Sequence, residues 1–164
     1  VCSSDLVALN TYRIPFYSFG NGKHEFEFDL DDDFFTYFED SEFSHGDVKV
    51  KVKMDKSDHQ LQFDLSLNGD VEVSCDRCLD QFMQELDSKY ILYGKFGEGN
   101  SEEEFDVVWI PRNEHEVDLA PYLYEYIVLS LPIKRIHPDK EEGVSGCDED
   151  MMNRLDEIVL LTEE

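Results

Sequence analysis

From about residue 24 to residue 96 the chain follows a largely two-residue rhythm. Phe26, Phe28 and Leu30 alternate with Glu25, Glu27 and Asp29, the pattern of a strand with one dry face and one wet face. Val48, Val50, Val52 and Met54 alternate with Asp47, Lys49, Lys51 and Lys53, and Leu61, Phe63, Leu65 and Leu67 alternate with Gln62, Asp64 and Ser66. A hairpin across Lys56-Ser57-Asp58-His59 sets Met54 opposite Leu61, Val52 opposite Phe63, Val50 opposite Leu65 and Val48 opposite Leu67, so every apolar residue shares a face. Asn68-Gly69 has the composition of a further tight turn, but folding there opposes Leu65 to Glu72 and Leu67 to Asp70. Leu65, Leu67, Gly69, Val71, Val73 and Cys75 keep one parity instead. This predicts a single strand over 60–75 that bends at Gly69, with a bulge as the means of bending.

The flanking segments are shorter. Residues 12–17 read as a first strand, held to a sheet edge by Pro15, and Gly20-Asn21-Gly22 as a turn. Asp31, Asp32 and Asp33 supply a cap and first-turn acids for a short helix from Phe34 to Glu39. After Cys78 the pattern fits two periods: Phe82, Leu86, Tyr90 and Leu92 share strand parity, whereas Leu79, Phe82, Met83 and Leu86 fit a helix. The β-prone run Tyr90-Ile91-Leu92-Tyr93 favours a strand over 81–96. A polar loop over 94–104 leads to a last strand, Phe105 to Ile110, stopped by Pro111, with Trp109 in the core. Asp118 caps a helix carrying Leu119, Tyr122, Leu123, Tyr126, Ile127 and Leu129 along one stripe, and Pro132 ends it. A further helix over 148–161 carries Met151, Met152, Leu155, Ile158 and Val159. The expected fold is α+β: a mainly antiparallel, strongly bent sheet, barrel-like or open, with one long packed helix and short accessory helices. It forms one domain over 1–132, followed by an acidic C-terminal extension over 133–164.

Charge narrows the function classes. There are 39 acidic residues against 14 basic ones, for a net charge of −25. Such a surface repels nucleic-acid backbones and anionic membranes, and it either attracts basic proteins or serves solubility alone. With 41% hydrophobic residues, including 12 Phe and 8 Tyr, the chain still has the apolar material for a core. No apolar run reaches the length of a membrane span and no basic, apolar leader opens the sequence, so a cytoplasmic protein without membrane contact is expected. Phosphate-cradling glycine loops, GxSxG and HExxH are missing.

Candidate chemistry lies in Cys75-Asp76-Arg77-Cys78. Two thiols at this spacing can chelate a metal, form a redox disulfide or simply sit in a turn. His137 and Cys147 are the pair suited to complete a closed four-ligand zinc site of structural type, although the interval between them is longer than usual ligand spacing. The redox reading needs the CxxC to open a helix after a strand, and the surrounding βαβ pattern is lacking. Under the third reading Cys75 is a small buried hydrophobe. Cys2, in the N-terminal tail, is expected as a free thiol. His24, His45, His59 and His115 read as solvated. Lys49, Lys51 and Lys53 form the basic stripe. It reads either as edge protection or as a candidate contact to RNA.

The run from Gly69 to Leu79, with its Cys-x-Arg-Cys-Leu core, resembles a signature of the YceD family, bacterial and chloroplast proteins named for large ribosomal RNA subunit accumulation. A second signature follows in order: Asp118-Leu119, then Ile127-Val128-Leu129-Ser130-Leu131-Pro132, with His137 and Cys147 beyond. The matching signature residues are Cys75, Arg77, Cys78, Leu79, Asp118, Leu129, Pro132 and Cys147. The resemblance implies a non-enzymatic role in large-subunit rRNA accumulation during ribosome assembly. It also implies a partner that is a small basic ribosomal or assembly protein, because the family's gene often neighbours one. Two positions depart from the family pattern. Tyr126 stands where an acid usually precedes the second signature, and Arg135 stands where a second proline often follows.

Overall fold

The computed structural model describes residues 12–100, 104, 106–138, 146–147 and 149–162, with side chains through 158. Cys2, Phe105 and the side chain of Val159 lie outside the described residues.

The alternating runs form one five-stranded sheet in the order β2-β3-β4-β5-β6. Its strands are β2 (Gly22–Leu30), β3 (Gly46–Lys56), β4 (Gln60–Ser74), β5 (Gln81–Phe96) and β6 (Val107–Ile110). The first four pair antiparallel, and β6 joins β5 in parallel, so the sheet is mixed and open. Val48, Val50, Val52 and Met54 of β3 and Leu61, Phe63, Leu65 and Leu67 of β4 are all buried on one face, while the intervening polar residues face outward. This is the pattern of a sheet covered on one side only.

The expected parity holds, but the hairpin register is shifted by two residues. Met54 faces Phe63, Val52 faces Leu65, Val50 faces Leu67 and Val48 faces Gly69. A two-residue slip moves each side chain along the pleat without turning it over, so alternation cannot detect it. Turn chemistry decides instead. Ser57 N–H donates to the Gln60 carbonyl at 3.0 Å, and Gln60 N–H donates to Ser57 Oγ at 3.2 Å. This leaves Asp58-His59 as a two-residue tip, a favoured hairpin length.

β4 runs past Gly69 without a bulge, since pairing stays continuous on both sides. Gly69 is needed for another reason. Its φ is +156°, and a Cβ there would collide with the Asp47 carbonyl oxygen and lie 2.7 Å from Val48 Cα. The strands therefore approach more closely than any side chain allows.

The first strand is shorter than expected. Pro15 ends it, leaving β1 (Arg13–Ile14) followed by a single 3-10 turn, Phe16–Ser18, whose carbonyl at Phe16 accepts from Lys56 Nζ at 2.9 Å. β6 is not the last strand. β7 (Val117–Asp118) pairs with β1 in a separate two-stranded sheet, tied by Arg13 to Glu116 at 2.6 Å. Trp109 on β6 is half-buried rather than core, and lies beneath Lys95.

Among the described residues, three α-helices complete the fold: α1 (Asp32–Tyr37), α2 (Ala120–Ser130) and α3 (Glu149–Thr162). α3 is the longest, so the expectation of one long helix gives way to two of similar length. Asp31 caps α1 by accepting from Phe34 N–H. α2 buries Leu123, Tyr126 and Ile127 against the sheet, whereas Leu129 is 60% exposed and leaves the expected stripe. Tyr126 stacks on Tyr90 at 4.4 Å between ring centroids, and Tyr124 stacks on Phe38 at 4.5 Å, which seats α2 between β5 and the segment after α1. Among the described residues, no helix is long and apolar enough to cross a membrane.

Two predictions follow from the sheet. Gly69→Ala is expected to cost about 2 kcal/mol or more in chemical denaturation, while exposed Asn68→Ala changes little. His45 pairs with Asp32 at 3.0 Å, and this hydrogen bond raises the His45 pKa and lowers that of Asp32. The His45 contribution to stability is therefore complete below its unfolded pKa and fades as pH rises through its raised folded value. NMR titration should show the His45 pKa falling in Asp32→Asn.

Candidate metal centre

β4 ends at Ser74, and the chain turns through Cys75-Asp76-Arg77-Cys78-Leu79-Asp80 before β5 begins. Two backbone bonds close this knuckle: Leu79 N–H donates to the Cys75 carbonyl at 2.9 Å, and Cys75 N–H donates to the Asp80 carbonyl at 2.8 Å. Leu79 takes the left-handed conformation, φ +65°, which a bulky side chain adopts only under constraint. It is also 69% exposed, so it gains little burial in return.

The segment after α2 returns to this knuckle. Asp76 N–H donates to the Arg135 carbonyl at 2.7 Å, and Arg135 N–H donates to Asp76 Oδ2 at 2.7 Å. The Arg135 guanidinium reaches Glu42 at 3.1 Å. A proline in place of Arg135 would have no N–H for Asp76, so this departure from the family pattern supplies a structural bond. At the other departure, Tyr126 is buried and its hydroxyl points to Asp106 at 3.5 Å, while Glu125 is exposed. Burial raises the Tyr126 pKa, and the Asp106 charge adds to the shift.

This return brings together all four residues expected to form a metal site. Cys75, Cys78, His137 and Cys147 place one ligand atom each within 4.8 Å of the others. Cys75 Sγ lies 3.7 Å from Cys147 Sγ, and Cys78 Sγ lies 3.3 Å from His137 Nδ1. The three cysteines are buried and not in disulfides. Burial raises the Cys75 pKa, but backbone N–H groups of Cys78, His137 and Arg77, together with the His137 side chain, outweigh it and bring it down to about 6. Phe82, Ile136, Met151 and Met152 pack around the sulfurs, forming a small apolar cluster that Phe82 joins to the main core. The Phe82 ring lies against His137 at 4.7 Å. Such a donor set could hold a metal ion.

The other signature residues play different parts. Arg77 is exposed on the knuckle. Asp118 Oδ1 accepts from Ala120 N–H at 3.0 Å at the start of α2. Leu129 and Pro132 are exposed where α2 ends. Lys49, Lys51 and Lys53 do not lie on a sheet edge, because β3 is flanked by β2 and β4. They face outward beside acidic β2: Lys51 is 4.0 Å from Glu27, and Lys53 is 3.6 Å from Glu25. Edge protection is therefore not their role. The Asp76–Arg135 pair went unread in the sequence because its members are 59 positions apart and no motif links them.

An open α+β sheet with a cysteine knuckle and a returning C-terminal segment defines the class. The sequence profile described as "Large ribosomal RNA subunit accumulation protein YceD" matches residues 63–159, more than half of the chain, and the protein belongs to that family. No curated protein and no solved structure matches it. The match contains the knuckle, α2 and the four clustered residues, and leaves out β2, β3 and the lysine stripe.

Relief of the strained conformation at Leu79 should be measurable. Leu79→Gly is expected to leave stability unchanged or raise it by up to about 1 kcal/mol. A clear loss in urea denaturation would show that the side chain contributes packing.

Proposed function

We propose that the protein is a non-enzymatic, cytoplasmic accessory factor for large-subunit rRNA accumulation, working through a basic ribosomal or assembly protein. Family membership carries the first part of this reading. The net charge of −25 supports the second, since a surface of this kind speeds encounter with a basic partner and opposes direct contact with phosphate backbones. The cysteine cluster serves as a staple in this reading: all four of its donor atoms come from the protein, which suits a structural site better than a catalytic one. Affinity capture on the full chain is expected to enrich large-subunit ribosomal proteins at low salt and lose most of them at high salt. Capture that is indifferent to salt, or that recovers no ribosomal protein, would overturn the docking role.

One observation favours a second reading, direct contact with rRNA. Lys89 stands opposite Ser66, which itself stands opposite Lys51, so the lysine stripe extends across the outer face of the sheet. Against it, Glu25, Glu27 and Asp29 stand opposite Lys53, Lys51 and Lys49. A gel shift with large-subunit rRNA fragments separates the readings. Binding that Lys51→Glu abolishes supports RNA contact, and no shift removes it.

A further inference from the structure

The end of the β4–β5 hairpin is held by an unusual core. Its buried residues are three cysteines, and the apolar groups around them are only partly buried. Its buried residues carry less hydrocarbon than the aliphatic and aromatic side chains of the main core. The polar bonds of Arg135 to Asp76 and Glu42 add a second attachment, but these are exposed. An ion bound by the sulfurs would add a further attachment, because metal affinity in a site absent from the unfolded chain becomes folding free energy.

The geometry suits one class of ion. A tetrahedron with zinc–sulfur bonds of about 2.3 Å has sulfur–sulfur edges of about 3.8 Å and sulfur–nitrogen edges of about 3.6 Å. The observed separations are 3.7 Å for Cys75 to Cys147 and 3.3 Å for Cys78 to His137. Three thiols and one imidazole form a soft to borderline set, which excludes magnesium and calcium and selects zinc among the common divalent ions of tetrahedral preference. The ligands come from two parts of the chain: Cys75 and Cys78 from the knuckle, and His137 and Cys147 from the segment that returns after α2.

We propose that Cys75, Cys78, His137 and Cys147 form a closed tetrahedral Zn(II) site, and that its occupation seats the C-terminal segment and α3 on the end of the β4–β5 hairpin. This deepens the reading of the cluster as a staple by naming its ligand and what it fastens. Zinc holds the returning segment in place, and removing it frees that segment while the main sheet, with its own core, stays folded.

Four measurements on the full chain test this. Elemental analysis of protein purified without chelator should give about one zinc per chain. Replacement by Co(II) should give the strong thiolate charge-transfer and d–d absorption of a tetrahedral site. Cys147→Ser should weaken zinc binding at least tenfold, whereas Cys2→Ser should leave it unchanged. Hydrogen exchange with and without chelator should show faster exchange across 133–138 and α3, with β3 and β4 unaltered. Because the sheet serves as an internal control, a misfolded variant is recognised as such, and chelation of the unmutated chain needs no variant at all. Absence of zinc together with no tetrahedral cobalt spectrum overturns the site, as does iron in place of zinc. Stoichiometric zinc with exchange indifferent to chelation overturns the seating. None of these outcomes depends on ribosomal proteins, so failure of the docking role and failure of the zinc site are distinguishable.

Discussion

The approach of two backbones at Gly69 is the constraint on which the rest of the architecture depends. β4 pairs along nearly its whole length with β3 on one side and β5 on the other, and Gly69 sits within both ladders. With no Cβ to hold Val48 away, the ladder continues past this point, and the same strand reaches from the main core to the knuckle. A side chain here would separate the half of β4 that carries Leu61 to Leu67 from the half that delivers Cys75. The placing of the clustered cysteines at one end of the molecule thus depends on a missing methyl group in its middle.

Two cores of different kinds result. The larger is ordinary: aliphatic residues of the sheet, the aromatic cluster around Phe34, Phe35 and Phe43, and the buried side of α2. Its stability derives from area removed from water and from aromatic contacts at their usual angles. The smaller is sulfur-rich and organised by directional bonds from the knuckle backbone. Phe82 packs against both, and the exposed Arg77 and Leu79 lie on the knuckle between the strands β4 and β5.

Much of this was legible in the sequence, for identifiable reasons. Strands betray themselves through parity, so β2 to β5 could be read from the positions of Phe26, Val50, Phe63 and Leu92. Register could not, because sliding Met54 from Leu61 to Phe63 leaves every side chain on its original face. The direction of β6 leaves no periodic trace either, since Val107 to Ile110 reads the same parallel or antiparallel. β7 is two residues long and below the reach of any pattern. The four clustered residues could be picked out because thiols and imidazoles are few in this chain. Asp76 and Arg135, which draw the segments together, are common residue types at a large separation and gave no signal.

Trp109 has a practical consequence. It is the chain's single tryptophan. Its indole N–H is buried without a hydrogen-bond partner among the described residues, beneath Lys95. Its ring is approached so closely by Gly99 that a Cβ there would overlap it. Emission from this fluorophore therefore reports on the parallel rim formed by β5 and β6. It is an optical channel for melting of the sheet that stays silent when the opposite end of the molecule loosens.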